Sequence, residues 1–114
     1  MHALHNDPDV TNYSFPDQDF LSNYFKHHVK FLGYEYNALK PMRKCHQSLW
    51  RDEGVRNVHY ILELKPWAIT RGSDKLDEQF EVVHGWWWDE WERLESEMGN
   101  KPCWGLVTEQ VVTV

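Results

Sequence analysis

The spacing of apolar residues predicts two helices. Near the N-terminus, apolar residues at positions 20, 21, 24 and 25 form one stripe. Asp17 stands where it can cap this helix, which we expect to end near His28. A longer amphipathic pattern runs from Asp77 to Met98 and ends before Gly99. Its predicted apolar face consists of Phe80, Val83, His84, Trp87, Trp91, Leu94 and Met98.

Runs of β-branched and aromatic residues predict strands between and after these helices. Val55–Leu64 is apolar at consecutive positions, so we expect a strand covered on both faces and paired on both edges. Phe31–Asn37 predicts a short strand, and Trp104–Val114 predicts an edge strand. A short helix is expected within Ala38–Arg51. Residues 1–13 show no periodic pattern and predict an irregular segment.

Length and composition limit the architecture. The chain has 114 residues, of which 41% are hydrophobic and 15% aromatic, so we expect one globular domain over residues 1–114. No apolar run approaches the length of a membrane span, and the N-terminus does not resemble a signal peptide. Cys45 and Cys103 lack metal-ligand spacing and predict free thiols in a reducing compartment. The expectation is a cytoplasmic chain without a membrane segment.

Charge is distributed unevenly along the chain. The net charge is −6, yet residues 26–72 carry nine Lys or Arg against four Asp or Glu. A basic middle in an acidic chain argues against nucleic-acid binding, which requires a positive face across most of a domain. It suits a single anionic small molecule such as a phosphate ester.

Asp17, Gln18 and Asp19 form the first candidate site. Carboxylate and amide groups at a helix start offer the acceptors and donors that sugar hydroxyls or a metal ion require. Acidic residues in a first helical turn are also favourable because they complement the helix dipole. The local sequence leaves both interpretations open.

A second candidate site lies between residues 58 and 67. His59 is placed to bind a divalent metal, and Lys65 lies in a turn stiffened by Pro66 and Trp67, where it can meet a diphosphate bridged by that metal. A histidine satisfied by a backbone carbonyl, followed by a surface lysine, is the alternative interpretation.

The tryptophan run Trp86–Trp88 and the nearby Trp91 could stack on sugar rings. Consecutive side chains on a helix point about 100° apart, however, so a single flat platform is not expected. Packing in the core is the favoured interpretation.

In order and spacing, the candidate residues resemble the C-terminal half of glycosyltransferase family 8, the family of glycogenin and galactinol synthase. The resemblance covers about residues 15–67, and Trp86–Trp88 is similar to fungal members. The residues that carry it are Asp17-Gln18 with Leu21 and Phe25, Leu32 with Tyr36-Asn37, His59-Tyr60, and Lys65-Pro66-Trp67.

The resemblance implies a fold and an activity. It implies an α/β fold, the C-terminal part of a GT-A-type nucleotide-diphospho-sugar transferase, with a few short strands packed on one long amphipathic helix. The implied activity is a retaining, Mn²⁺-dependent transfer of a hexose from a UDP-sugar to a carbohydrate or related hydroxyl acceptor.

The resemblance also implies roles for individual residues. Asp17, Gln18 and Asp19 would face the sugars as catalytic residues, and His59 would bind Mn²⁺. Lys65 would hold the diphosphate of the UDP-sugar. The cofactor-binding set would be completed by Asn37, at the end of a strand, and by Leu62.

Two departures from the family pattern change these expectations. Leu62 stands where many members have a glycine whose amide approaches the diphosphate. The family places its DxD metal motif upstream of Asp17; Asp7 and Asp9 spell this pattern, but Pro8 separates them and no apolar strand precedes them. We therefore expect the isolated chain to be inactive and to self-associate. The alternative function is a non-catalytic binding or interaction module left by truncation of such an enzyme.

Overall fold

The computed structural model describes residues 6–111. The chain divides into two compact units, the first extending to Leu32 and the second beginning at Gly33. The expectation of a single domain over residues 1–114 stays a prediction.

The first unit contains a 3-10 turn, Val10–Asn12, and helix α1, Pro16–Tyr24. The predicted helix is present, but it ends at Tyr24 instead of near His28. The expectation that Asp17 caps it is wrong, because Phe15 occupies the N-cap position and its amide donates to Asp19 Oδ2 at 3.0 Å. Pro16 at the first helical position fixes this start, since proline needs no amide partner there.

The second unit mixes helices with a short parallel sheet. The strands are β1, Ala38–Leu39, and β2, Val58–His59, which pair in the register Ala38↔Val58 and Leu39↔His59. The α-helices of this unit within the described residues are α2, Met42–Cys45, α3, Glu81–Met98, and α4, Trp104–Thr108. The short helix expected within Ala38–Arg51 is confirmed. The long helix predicted over Asp77–Met98 is also present, but its α-helical part begins at Glu81 and is preceded by a 3-10 turn, Glu78–Phe80.

The strand predicted over Phe31–Asn37 is wrong. Tyr34–Tyr36 forms a 3-10 turn, and the strand begins only at Ala38. The Glu35 carbonyl accepts from the amides of both Arg56 and Asn57, a pairing that a regular ladder does not make. Local β propensity is here overridden by these longer-range hydrogen bonds.

The strand predicted over Val55–Leu64 is reduced to Val58–His59, and within the described residues it pairs with β1 alone. Leu62 and Leu64 have φ angles of 68° and 53°, in the left-handed region that an extended strand does not include. The apolar run therefore reflects a turn rather than a strand covered on both faces.

The edge strand predicted over Trp104–Val114 is also wrong for the described part of that segment. Trp104–Thr108 is helical, and the buried Trp104 ring lies 5.0 Å from the Trp91 ring. This aromatic contact supplies the tertiary packing that overrides the β propensity of the tail. Residues 112–114 lie outside the described part of the chain.

The core of the second unit joins β1 to α3. Ala38, Trp50 and Val83 form its buried cluster, with further apolar side chains packed around it. On α3, the buried residues are Val83, His84 and Trp88. The predicted apolar face is thus correct at Val83 and His84, while Trp88 replaces Trp87 as the buried tryptophan.

Three tryptophans of α3, Trp87, Trp88 and Trp91, also pack on one another. Trp87 and Trp88 meet edge-on at 89°, whereas Trp87 and Trp91 are stacked with ring centres 5.5 Å apart. Packing is therefore confirmed as their role in the fold. No helix within residues 6–111 is long and apolar enough to cross a membrane.

Candidate functional site

A pocket of about 590 Å³ opens in the second unit beside the β1–β2 pair. Parallel pairing sets Asn37, the residue before β1, opposite Asn57, and His59 lies two residues further along β2 on the same face as Asn57. The residues that line it are Asn37, Asn57, Val58, His59, Tyr60, Lys65 and Trp67. Three of the candidate residues, Asn37, His59 and Lys65, are therefore brought together.

The His59 imidazole is oriented by Asn37. His59 Nδ1 lies 3.0 Å from Asn37 Oδ1, and both residues are exposed. An amide oxygen can only accept, so Nδ1 donates, and in the neutral imidazole Nε2 then has the free lone pair. Metal-binding histidines commonly have this arrangement, with one nitrogen donating to an oxygen and the other free for the metal.

Lys65 is held at the other side of the pocket by its own turn. The residue is half-buried, and its Nζ donates to the Tyr60 carbonyl at 2.5 Å. Pro66 is buried and begins a 3-10 turn, which keeps Lys65 in an extended conformation. Lysine has three N–H donors, so two remain for an anion after the bond to Tyr60.

Tyr60 anchors this region to α3. Its hydroxyl donates to the Val83 carbonyl at 2.7 Å, and burial raises the pKa of Tyr60 to about 12. The Tyr60 ring also packs edge-on against Trp67 and His84. Tyr60, the residue after His59, therefore fixes this end of β2 to the core.

The chain from residue 60 to residue 65, the Tyr60–Lys65 turn, is strained. Leu62 and Leu64 both occupy the left-handed region, which costs a residue with a Cβ roughly 1–2 kcal/mol. Leu62 is 56% exposed and is absent from the pocket lining, so the structure does not bring it to Asn37 and His59.

Sequence comparison identifies the family of this chain. The family model for glycosyl transferase family 8 matches residues 1–70, more than half of the chain. The chain belongs to this family.

Curated relatives of this family member are plant galactinol synthases. The chain is 35% identical over 77 residues to galactinol synthase 1 of Solanum lycopersicum, covering 66% of this chain and 24% of the relative. It is 34% identical over 77 residues to galactinol synthase 2 of Arabidopsis thaliana, covering 66% of this chain and 23% of the relative. The chain thus spans about a quarter of these relatives. No solved structure gives a significant match.

The family's acidic helix start lies in the first unit. Asp17 and Gln18 are exposed in the first turn of α1, with their side chains outside any hydrogen bond found among residues 6–111. Asp19 is half-buried, and its carboxylate accepts from the Phe15 amide. Asp19 therefore has a local structural role in forming the helix start.

Asp7 and Asp9 take part in local hydrogen bonds near the N-terminus of the chain. Asp7 Oδ2 accepts from the Tyr13 hydroxyl at 2.8 Å, and Asp7 Oδ1 accepts from the Asp9 amide at 2.9 Å. Nowhere between residues 6 and 111 do three or more His, Cys, Asp or Glu side chains form a group able to hold a metal. The free thiols predicted at Cys45 and Cys103 are confirmed, and both are exposed.

Lys40 is a buried charged residue beside the Tyr60–Lys65 turn that the sequence did not reveal. It follows β1 and is only 1% exposed. Its Nζ donates to the carbonyls of Glu63 and Leu64, at 3.1 and 3.2 Å, and lies 4.7 Å from the centre of the Phe80 ring. Burial, and secondarily the charge of Lys65, lower the pKa of Lys40. No local sequence signal distinguishes it from an exposed lysine.

His84 completes the surroundings of Lys40. His84 Nε2 lies 3.5 Å from Lys40 Nζ, and burial followed by the Lys40 charge lowers the pKa of His84 to about 4. An ammonium can only donate, so Nε2 accepts and Nδ1 carries the proton. That buried Nδ1 finds no hydrogen-bond partner in the described part of the chain. His84 is therefore a neutral acceptor beneath the strained turn.

Leu62→Gly is expected to stabilise the fold. Glycine removes the left-handed strain of roughly 1–2 kcal/mol and adds an entropic cost of about 0.5–1 kcal/mol, so a net gain of about 0.5–1 kcal/mol is expected. Urea denaturation followed by circular dichroism measures it. Leu62→Ala is the matched control, because it removes nearly as much of the side chain but keeps the strain-causing Cβ. A glycine variant no more stable than the alanine variant would contradict the strain.

Proposed function

We propose that this chain contributes the diphosphate-binding part of a hexosyltransferase that uses a UDP-sugar donor and a carbohydrate or related hydroxyl acceptor. The observation that carries the proposal is the convergence of Asn37, His59 and Lys65 on one pocket. Membership of glycosyl transferase family 8 supports glycosyl transfer in general. The names of the galactinol synthase relatives favour a hydroxyl acceptor of the polyol or carbohydrate class.

The charge at the pocket supports an anionic ligand. Lys65 lines it directly, and the buried Lys40 lies close enough that the charge of Lys65 lowers its pKa. Two ammonium groups near one concave surface favour a diphosphate over a neutral sugar. In transfer from a UDP-sugar the departing group is the UDP diphosphate, whose developing charge Lys65 would stabilise.

The residues of the pocket could supply one ligand of a metal site. His59 offers Nε2 in the tautomer that a metal needs, and Asn37 holds the ring in place. A divalent ion such as Mn²⁺ would be held by His59 together with diphosphate oxygens and with groups beyond the described residues. When bound, the ion would supply positive charge to the departing diphosphate.

The remaining roles follow from the same proposal. Asp17 and Gln18, exposed on α1, would contact the donor sugar and steady its developing positive charge. Asp19 would support them by fixing the helix start. Leu62 would affect the donor through the shape of the Tyr60–Lys65 turn. A retaining reaction and a GT-A-type parent fold belong to this proposal as well.

His59→Ala is expected to lower the Mn²⁺ affinity of the chain at least tenfold in the presence of UDP, because it removes the one imidazole nitrogen offered by the pocket. Paramagnetic broadening of backbone amide signals by Mn²⁺ measures weak binding residue by residue. In the wild-type chain the signals of residues 58–60 are expected to broaden first.

His46→Ala is the matched control, since His46 is an exposed histidine of the same unit that does not line the pocket. It is expected to leave the affinity unchanged. Equal Mn²⁺ affinity in His59→Ala and His46→Ala would remove His59 from the metal site. Absence of any UDP-dependent broadening in the wild-type chain would refute the proposed donor site.

A binding or interaction module is the second candidate function. The observation that favours it is the exposure of large apolar side chains in the first unit, where α1 has no buried residue. These side chains are Phe15, Leu21, Tyr24, Phe25, Val29, Phe31 and Leu32. Exposed apolar surface of this kind commonly marks association. Self-association stays a prediction, and UDP binding at the pocket separates the two functions.

A further inference from the structure

The Tyr60–Lys65 turn needs support from outside itself. Two of its residues, Leu62 and Leu64, hold left-handed backbone angles that leucine rarely adopts. Such conformations persist only where surrounding contacts fix them. The bond from Lys65 Nζ to the Tyr60 carbonyl joins the two ends of the turn. It cannot explain the position of Lys65, however, because Lys65 itself makes it.

The support comes from Lys40. Its ammonium donates to two successive carbonyls of the turn, those of Glu63 and Leu64. Its backbone amide donates to the His59 carbonyl at 3.2 Å, so one residue holds both the end of β2 and the far side of the turn. Carbonyl oxygens can accept only where the peptide planes face the donor, so these bonds select the strained backbone.

The Lys40 ammonium is buried among polar groups that leave it without a carboxylate partner in the described part of the chain. The ammonium is buried, and the groups around it in the described part of the chain are carbonyls, an imidazole nitrogen and the Phe80 ring; the ion pairs found between residues 6 and 111 do not include it. Burying a charge without a carboxylate partner is costly. A methionine of similar length would fill the same space without the free-energy cost of burying a charge. The ammonium therefore needs a role that an apolar side chain cannot perform.

We propose that Lys40 is a positioning residue of the donor site: by holding the carbonyls of Glu63 and Leu64 it sets the turn that places Lys65 against the diphosphate. This inference rests on the proposed function for Lys65. Lys40 does not line the pocket, so it acts through Lys65 and not by touching the ligand.

A double-mutant cycle tests this mode of action. Lys40→Met is expected to weaken UDP binding in the presence of Mn²⁺ about tenfold, because Lys65 loses its fixed position. In a Lys65→Ala background, Lys40→Met is expected to change UDP affinity less than twofold, since there is no longer an ammonium to place. Lys44→Met, at an exposed lysine of α2, is the matched control and is expected to have no effect in either background.

Amide hydrogen exchange gives a readout that does not need the ligand. The Ile61 amide donates to the His59 carbonyl and the Ala68 amide to the Lys65 carbonyl, so both report on the ends of the turn. In Lys40→Met both are expected to exchange at least tenfold faster, while amides in the middle of α3 keep their rates. A general loss of stability would instead accelerate the α3 amides equally.

The outcomes separate the inference from the proposed function. UDP affinity that survives Lys40→Met within twofold, or a full tenfold loss in the Lys65→Ala background, overturns the positioning role. Absence of UDP binding in the wild-type chain refutes the donor site, and the exchange rates then decide alone whether Lys40 holds the turn. If Lys40→Met does not fold, Lys40→Met/Leu62→Gly is compared with Leu62→Gly alone, and equal exchange of the Ile61 and Ala68 amides in these two variants also overturns the inference.

Discussion

Replacing Trp50 by alanine is expected to lower the free energy of unfolding by about 3–5 kcal/mol, the usual cost of removing a large buried aromatic side chain. Trp50 is 6% exposed and packs in the cluster with Ala38 and Val83. Its ring centre lies 5.6 Å from that of Tyr34. The substitution therefore leaves a cavity between β1 and α3, the elements on which the pocket depends.

Trp50 also organises a polar network at the edge of the core. Its Nε1 donates to Asp52 Oδ1 at 2.6 Å, and Asp52 is paired with Arg43 at 3.0 Å. The Arg43 guanidinium, followed by the Trp50 donor, lowers the pKa of Asp52. Alanine at position 50 removes one of these donors. Since small domains are stable by only about 5–15 kcal/mol, the loss is a large fraction of the total.

Thermal and urea denaturation followed by circular dichroism measure this effect. Trp67→Ala is the matched control, because Trp67 is 37% exposed and buries less area. It is expected to cost about 1–2 kcal/mol, in proportion to the smaller apolar area that it removes from the interior. Equal losses in the two variants would show that Trp50 is not the centre of the core.

The sequence predicted best those elements whose pattern repeats over several turns. The presence of α1 and of the long helix that ends at Met98 follows from periodicity, although the predicted starts of both helices differ from the observed ones. Within α3 the burial of Trp88 in place of Trp87 could not be predicted, because the two are adjacent on the helix and the choice depends on what packs against it.

The strands were predicted poorly for a physical reason. Val55–Leu64 has strong β propensity, but its conformation is set by the left-handed angles of Leu62 and Leu64 and by the buried Lys40, 23 residues from Glu63 in sequence. Propensity is a local quantity, whereas these contacts are not. The same is true of Trp104, which is held in a helix by the distant Trp91 ring.

The pocket was predictable as a set of residues but not as a geometry. Asn37, His59 and Lys65 were identified by their resemblance to the family pattern. Parallel pairing of β1 with β2 brings Asn37 and His59 together, whereas Lys65 reaches the pocket through the Tyr60–Lys65 turn. The contact between Asn37 and His59 depends on the register of two-residue strands, which no sequence period specifies. Lys40 was not identified from the sequence because a lone lysine is usually exposed to solvent.

Lys65→Ala is expected to weaken UDP binding by about one to two orders of magnitude, since losing a charge-assisted hydrogen bond costs roughly 1.5–3 kcal/mol. Isothermal titration with UDP and Mn²⁺ measures it. The bond from Lys65 to the Tyr60 carbonyl is lost too, but it replaces one that water can make, so stability is expected to change by only about 1 kcal/mol. A large loss of affinity with a small loss of stability is the signature of a ligand contact.

Two control variants make the Lys65 result specific. Lys44→Ala removes a positive charge from an exposed position of the same unit and is expected to leave UDP affinity unchanged. Lys65→Arg keeps the charge but changes its shape, so it is expected to retain more affinity than Lys65→Ala and less than lysine, because the Tyr60 carbonyl is matched to a compact ammonium. A change below twofold in Lys65→Ala would make Lys65 an ordinary surface residue, and the pocket would then lack the cation that a diphosphate requires.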